Sequence, residues 1–74
     1  MNKLRVYRKL LGWTRRELAE KVGLTYSMIL IIERERFRPS KNSATRICDA
    51  LNEVLPAPVG LNVVFPEYFE ARSK

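Results

Sequence analysis

The chain has 74 residues, with 14 Lys and Arg against 8 Asp and Glu, for a formal net charge of +6 and a sequence pI near 10.0. A chain this short holds one modest core rather than a deep two-lobed cleft, and its hydrophobic content of 46% excludes compositional disorder. With no histidine and one cysteine, Cys48, it lacks an internal disulfide, the common zinc constellations and every imidazole-assisted nucleophile, so neither a metal nor a cofactor is expected.

The first helix is expected from about Lys3 to Leu11. Leu4, Tyr7 and Leu11 recur at i, i+3 and i+7, Val6 and Leu10 add a second apolar flank, and Gly12 stops it. Thr14 followed three residues later by Glu17 is a capping-box pattern, which opens a second helix with Leu18, Ala19 and Val22 on its apolar face. Gly23 ends that helix after about two turns, because glycine adopts the left-handed conformation at little cost. Thr25 then caps a third helix running through Ile32 and Glu33. Two short helices meeting across a glycine-centred turn have the geometry of a helix-turn-helix, in which the first helix braces the second against a groove.

Ser40 or Ser43 caps a fourth helix, where Ala44, Ile47, Cys48 and Leu51 form one stripe and Cys48 acts as a small buried hydrophobe. Beyond Asn52 the texture changes, since Pro56, Pro58, Gly60 and Pro66 prevent any long helix. This connector has room for one short helical turn. Its Leu61, Val63, Val64, Phe65, Tyr68 and Phe69 must nevertheless cover something. The expected fold is therefore all-α, a bundle of four to five helices. Residues 1–52 form the helix-turn-helix domain, its motif at about 14–33, and residues 53–74 form an apolar segment for packing or dimerisation.

Charge is uneven along this plan. Residues 1–48 hold 12 basic and 4 acidic side chains, whereas residues 49–74 hold 2 basic and 4 acidic, so a polyanion would dock on the first part. The plainer alternative is a solvated basic surface with no specific partner. No apolar run approaches the roughly 18 residues of a membrane span, the longest being Met28 to Ile32. The start of the chain lacks the apolar core of a signal peptide. The expected location is the cytoplasm, in association with the nucleoid.

The segment from Leu4 to Leu51 resembles the lambda-repressor-like, or XRE, family of helix-turn-helix domains of bacterial and phage regulators. The likeness is carried by Leu4, Tyr7 and Arg8, by the run from Thr14 to Leu24, and by Ile29, Ile32, Glu33, Arg34, Pro39, Ser40, Ala50 and Leu51. The resemblance implies that Arg8 and Glu33 form a structural ion pair fastening the first helix to the end of the third. It also implies double-stranded DNA as partner and transcriptional regulation, by repression, as function, with no enzymatic activity.

This chain departs from the family pattern in three places. Arg15 stands where the family usually has Gln at the start of the second helix, and Glu35 stands where it usually has Gly just past the third. At 100° per residue, Ile29 and Ile32 point to the core, so Ser27, Leu30, Ile31 and Arg34 project the other way with Tyr26 and Met28 at the rims. Aliphatic residues thus occupy the face that reads bases.

Base contacts are accordingly expected from Tyr26, Ser27 and Ile31, since serine bonds either kind of base edge and apolar side chains touch a thymine methyl. Phosphate contacts are expected from Arg15, Thr25, Arg34, Arg36, Arg38 and Lys41. Two other readings stand beside these. Met28, Leu30 and Ile31 would serve an antitoxin or adaptor as a docking ridge, and the cations after the third helix would sit favourably at its negative end without touching DNA. Phe37 is expected beneath that loop and Trp13 in the core. Glu17 and Glu20 lie among cations with no cleft implied, which argues against acid–base catalysis. One recognition helix reads few base pairs, so a homodimer through residues 55–70 is expected to pair two half-sites.

Overall fold

The computed structural model describes residues 2–66, and within them the chain forms five helices and no strand: α1 (Leu4–Leu10), α2 (Arg15–Val22), α3 (Tyr26–Glu33), α4 (Lys41–Asn52) and α5 (Leu61–Val64). Local chemistry sets the starts of α2, α3 and α4. Thr14 Oγ1 accepts from the Glu17 amide at 3.0 Å while Glu17 Oε1 accepts from the Thr14 amide at 2.8 Å, a complete capping box. Thr25 Oγ1 accepts from the Met28 amide at 3.1 Å, and Ser40 Oγ, rather than Ser43, caps α4 by accepting from the Ser43 amide at 3.1 Å.

The core lies where these helices converge. Leu4, Leu18, Ala19, Val22, Ile29, Ile32, Ala44, Ile47, Cys48, Ala50 and Leu51 are buried together with Val64 and Phe65. Helix α4 contributes five of these, more than any other helix, and it packs against both α2 and α5. Burial, reinforced by the charge of Asp49 and opposed by a hydrogen bond from Asn52, holds the Cys48 thiol above its ordinary pKa. Such a thiol stays protonated and inert at neutral pH, as a packing residue.

The segment after α4 is drawn back by a two-bond clamp. Asn52 Nδ2 donates to the Val59 carbonyl at 2.9 Å, and the Val59 amide donates to Asn52 Oδ1 at 2.8 Å. The Lys3 amide donates to the Val64 carbonyl at 2.8 Å, which lays α5 beside the start of α1. Val64 and Phe65 are therefore held by this chain's own core, and Val63 is the exposed aliphatic residue of α5. Tyr68 and Phe69 lie outside the described residues.

Three expectations about apolar side chains need correcting. Val6 and Leu10 were expected to add an apolar flank to α1, yet they face solvent at 62% and 69% exposure, because α1 turns Leu4 and Arg8 inward instead. Phe37 is 47% exposed and does not pack beneath its loop. Trp13 is half-buried against the edge of the core, with the Lys21 ammonium 4.9 Å from its ring centroid.

Candidate nucleic-acid interface

Helix α3 is positioned from both ends. At its start, the short turn after Gly23 sets the angle to α2. Gly23 has φ +73°, and the Leu24 amide donates to the Ala19 carbonyl at 3.0 Å. At its end, the Glu35 amide donates to the Ile32 carbonyl at 3.0 Å and the Arg36 amide to the Ile31 carbonyl at 3.1 Å. These are the two bonds of a Schellman motif. Its left-handed position is filled by Glu35 at φ +60°, a conformation that crowds any side chain with a Cβ.

The far end of α3 is also fastened by charge. Arg8 Nε donates to Glu33 Oε2 at 2.5 Å, Arg8 Nη2 donates to Glu33 Oε1 at 3.2 Å, and Arg8 Nη1 donates to the Trp13 carbonyl at 2.8 Å. The Arg8 and Glu33 side chains are 7% and 2% exposed, so the pair is a buried one. Arg15 joins it, with Nε donating to Glu33 Oε1 at 3.0 Å. That bond raises the Arg15 pKa above its already high ordinary value, against the cost of partial burial. Expected as a phosphate contact, Arg15 thus has one of its three nitrogens held by Glu33.

Asn2 is a positioning residue that composition and spacing do not reveal. Its Nδ2 donates to the Ile32 carbonyl at 3.0 Å, its amide donates to Glu35 Oε2 at 3.1 Å, and its Oδ1 accepts from the Leu4 amide at 3.2 Å. It therefore ties the start of α1 to the end of α3. A single Asn ahead of a helix has the signature of a local cap, and nothing in its neighbours points 30 residues away.

The outward side of α3 collects several of the expected residues. Tyr26 and Ser27 are exposed and Ile31 is half-buried, as is Leu30 beside it. Met28 instead packs partly against the core. Arg16 lies over Tyr26 with its guanidinium carbon 6.0 Å from the ring centroid. Arg5, Lys9, Arg15 and Arg16 line a groove between α1 and the start of α2 that reaches Tyr26. Thr25 uses its oxygen as an acceptor within the cap, which leaves its hydroxyl proton to donate outward.

Past α3, Arg34, Arg36, Arg38 and Lys41 are all exposed, and among the described residues none of the four makes an ion pair. The loop that carries them is anchored by Pro39, which is fully buried. The loop backbone is thus tied to the core beside α3 while the charge of its cations remains available. Among the described residues, no cluster of side chains suits a metal ion, and no helix is long and apolar enough to cross a membrane.

The geometry of Thr-capped α2, glycine turn and Thr-capped α3 agrees with comparison to known proteins. A family model described as Helix-turn-helix matches residues 4–56. Over 48 residues, 65% of this chain and 70% of the relative, the sequence is 48% identical to an uncharacterized HTH-type transcriptional regulator of Methanothermobacter thermautotrophicus. No solved structure matches the chain. The matched span includes all of α1 to α4 and the buried Arg8–Glu33 pair, and the chain belongs to the lambda-repressor-like, XRE-type helix-turn-helix family.

Proposed function

We propose that the chain is a transcriptional regulator that binds double-stranded DNA sequence-specifically, laying α3 in the major groove. Tyr26, Ser27 and Ile31 meet base edges, and Thr25, Arg34, Arg36, Arg38 and Lys41 hold phosphates. Arg15 reaches phosphate with its terminal nitrogens only, since Glu33 holds Nε. The observation that carries this reading is the row of four exposed cations, without an ion pair among the described residues, following a helix whose outward face begins with exposed Tyr26 and Ser27. Those cations release condensed counterions as they neutralise phosphates, which makes binding steeply dependent on salt.

The action is repression by occupancy, in the manner of bacterial and phage regulators, because excluding a competitor from a site needs affinity and position and no chemistry. It requires no cofactor and takes place in the cytoplasm on the nucleoid. Two copies pair through residues 55–70, where Val63 is exposed and Val59 and Leu61 are half-buried, so that two α3 helices address half-sites one helical turn apart. The test of the DNA reading is a titration of duplex binding from low to moderate salt. A steep loss of affinity is expected. Absence of binding even at low ionic strength overturns the reading and favours a protein partner docked on Met28, Leu30 and Ile31. Sedimentation at rising concentration tests the pairing, with a monomer at high micromolar concentration as the contrary result.

A further inference from the structure

The outward face of α3 has an unusual chemistry for a helix that addresses bases. Its sequence is YSMILIIE, in which Ile29 and Ile32 are buried, Met28 packs partly on the core and Glu33 is sealed by Arg8 and Arg15. What remains outward is Tyr26, Ser27, Leu30 and Ile31. Between Tyr26 and Glu33 there is no amide, guanidinium or ammonium group. Bidentate hydrogen bonding to guanine or adenine, which separates one base pair from another most strongly, needs such a group. The two hydroxyls bond donor and acceptor edges alike, so they add little discrimination.

Aliphatic side chains complement one feature of the major groove, the C5-methyl group of thymine. Leu30 and Ile31 are half-buried, and neither is among the partly buried side chains packed against the core. Charge complementarity identifies what covers this strip. Arg16 stands over Tyr26 at its start, and Arg34, Arg36, Arg38 and Lys41 follow its end. The eight residues of α3 span about 12 Å, close to the width of the major groove, so cations at the two ends of the strip suit a backbone on either side of it.

We propose that Leu30 and Ile31 read thymine C5-methyl groups, so that sequence preference is a preference for positioned thymines set by methyl burial. This rests on the DNA-binding reading and specifies what that reading recognises. The test begins with a selection on random duplex DNA. In the preferred duplex, each thymine is then replaced singly by deoxyuridine, which keeps every hydrogen-bonding group and removes only the methyl.

At one or more positions, affinity falls about fourfold per methyl, the ratio that corresponds to about 0.8 kcal/mol for one buried carbon. In Leu30→Ala or Ile31→Ala, the thymine-to-deoxyuridine ratio at that position collapses toward one. The ratio is taken within each variant, so any loss of folded protein cancels. Equal binding of thymine and deoxyuridine at every position overturns the methyl proposal and leaves DNA binding standing. A deoxyuridine effect that persists undiminished in both alanine variants overturns the assignment to these residues. Failure to bind any duplex removes the DNA reading itself, and with it this proposal, in favour of a protein partner on the same strip.

Discussion

The cations of this chain fall into two sets that α3 divides. Among those that precede it in sequence, four make contacts within the protein itself: Arg8 and Arg15 on Glu33, Arg16 over Tyr26 and Lys21 over Trp13. Of those that follow it, the four nearest in sequence, Arg34, Arg36, Arg38 and Lys41, are exposed and make no ion pair among the described residues. Net charge alone treats the two sets alike. Their surroundings separate them, because a guanidinium fixed on a buried carboxylate positions a helix, whereas one in solvent remains available to a polyanion.

The division is broken most forcefully at Arg8. Arg8→Ala leaves the Glu33 carboxylate buried and short of its main partner, which costs about 3–5 kcal/mol. A chain of this length has a total stability of about 4–11 kcal/mol, at the usual 0.05–0.15 per residue. Urea unfolding should therefore show a variant close to the edge of folding. The paired substitution Arg36→Ala with Arg38→Ala should leave the free energy of urea unfolding unchanged within about 0.5 kcal/mol. Its effect appears on DNA instead, flattening the slope of log affinity against log salt by about 1.8 and weakening binding about 30-fold at 0.15 M salt. A double variant that unfolds, or a slope that does not move, would place the loop cations with the structural set.

How much of this was legible in the sequence depends on the range of the interaction. Thr14 with Glu17, Thr25 and Ser40 cap helices by bonds to an amide three residues on, so residue type and spacing mark those starts. Ser40 and Ser43 both suit a cap by residue type, and only the bond from the Ser43 amide to Ser40 Oγ separates them. The family resemblance supplied the Arg8–Glu33 pair, which bridges 25 residues and which spacing alone does not indicate. Arg15 turning back to Glu33, 18 residues away, was not legible, since a terminal cation at a helix start looks equally suited to phosphate.

Helix faces were the other blind spot. In α1 the positions of Leu4, Tyr7 and Leu11 compete with those of Val6 and Leu10 as an inward stripe, and only packing against α5 and α3 decides between them. Likewise, nothing local separates a Phe37 tucked under its loop from one left half in water.

A smaller effect comes from the ends of α2 and α3, which solve the same problem with different residues. Gly23 at φ +73° and Glu35 at φ +60° both close a helix in the left-handed region. Gly23→Ala introduces a steric cost of about 1–2 kcal/mol, partly offset by the lower entropy of the unfolded chain. A Cβ there also stands 2.8 Å from Arg46 Nη2, a flexible end that moves aside easily. The expected net loss is about 1 kcal/mol. Glu35→Gly reverses the sign, because relief of crowding outweighs the added chain entropy, less the bond from the Asn2 amide. A gain of about 0.5 kcal/mol in thermal or urea unfolding is expected. Two losses, or two gains, would show that the caps are not equivalent closures.

The smallest effect tests the boundary between the two sets of cations at Lys21. The Lys21 ammonium lies 4.9 Å from the Trp13 ring centroid, in the last turn of α2, where a positive charge also suits the helix dipole. Each contribution is modest at a surface, about 0.5–1 kcal/mol for the ring contact. Lys21→Gln keeps a similar stem and removes the charge, so it should lower stability by about 0.5 kcal/mol. It should also shift the emission of Trp13, the one tryptophan in the chain. Lys21→Arg, which retains a cation for the ring, should restore both. DNA binding supplies the decisive comparison. If Lys21 belongs with the engaged cations, Lys21→Gln leaves the salt slope where it was, whereas removal of a single loop cation flattens it by about 0.9. A slope that flattens equally for Lys21 would mean that the face carrying Trp13 also meets phosphate, and that engagement with a neighbouring ring does not withdraw a cation from the DNA.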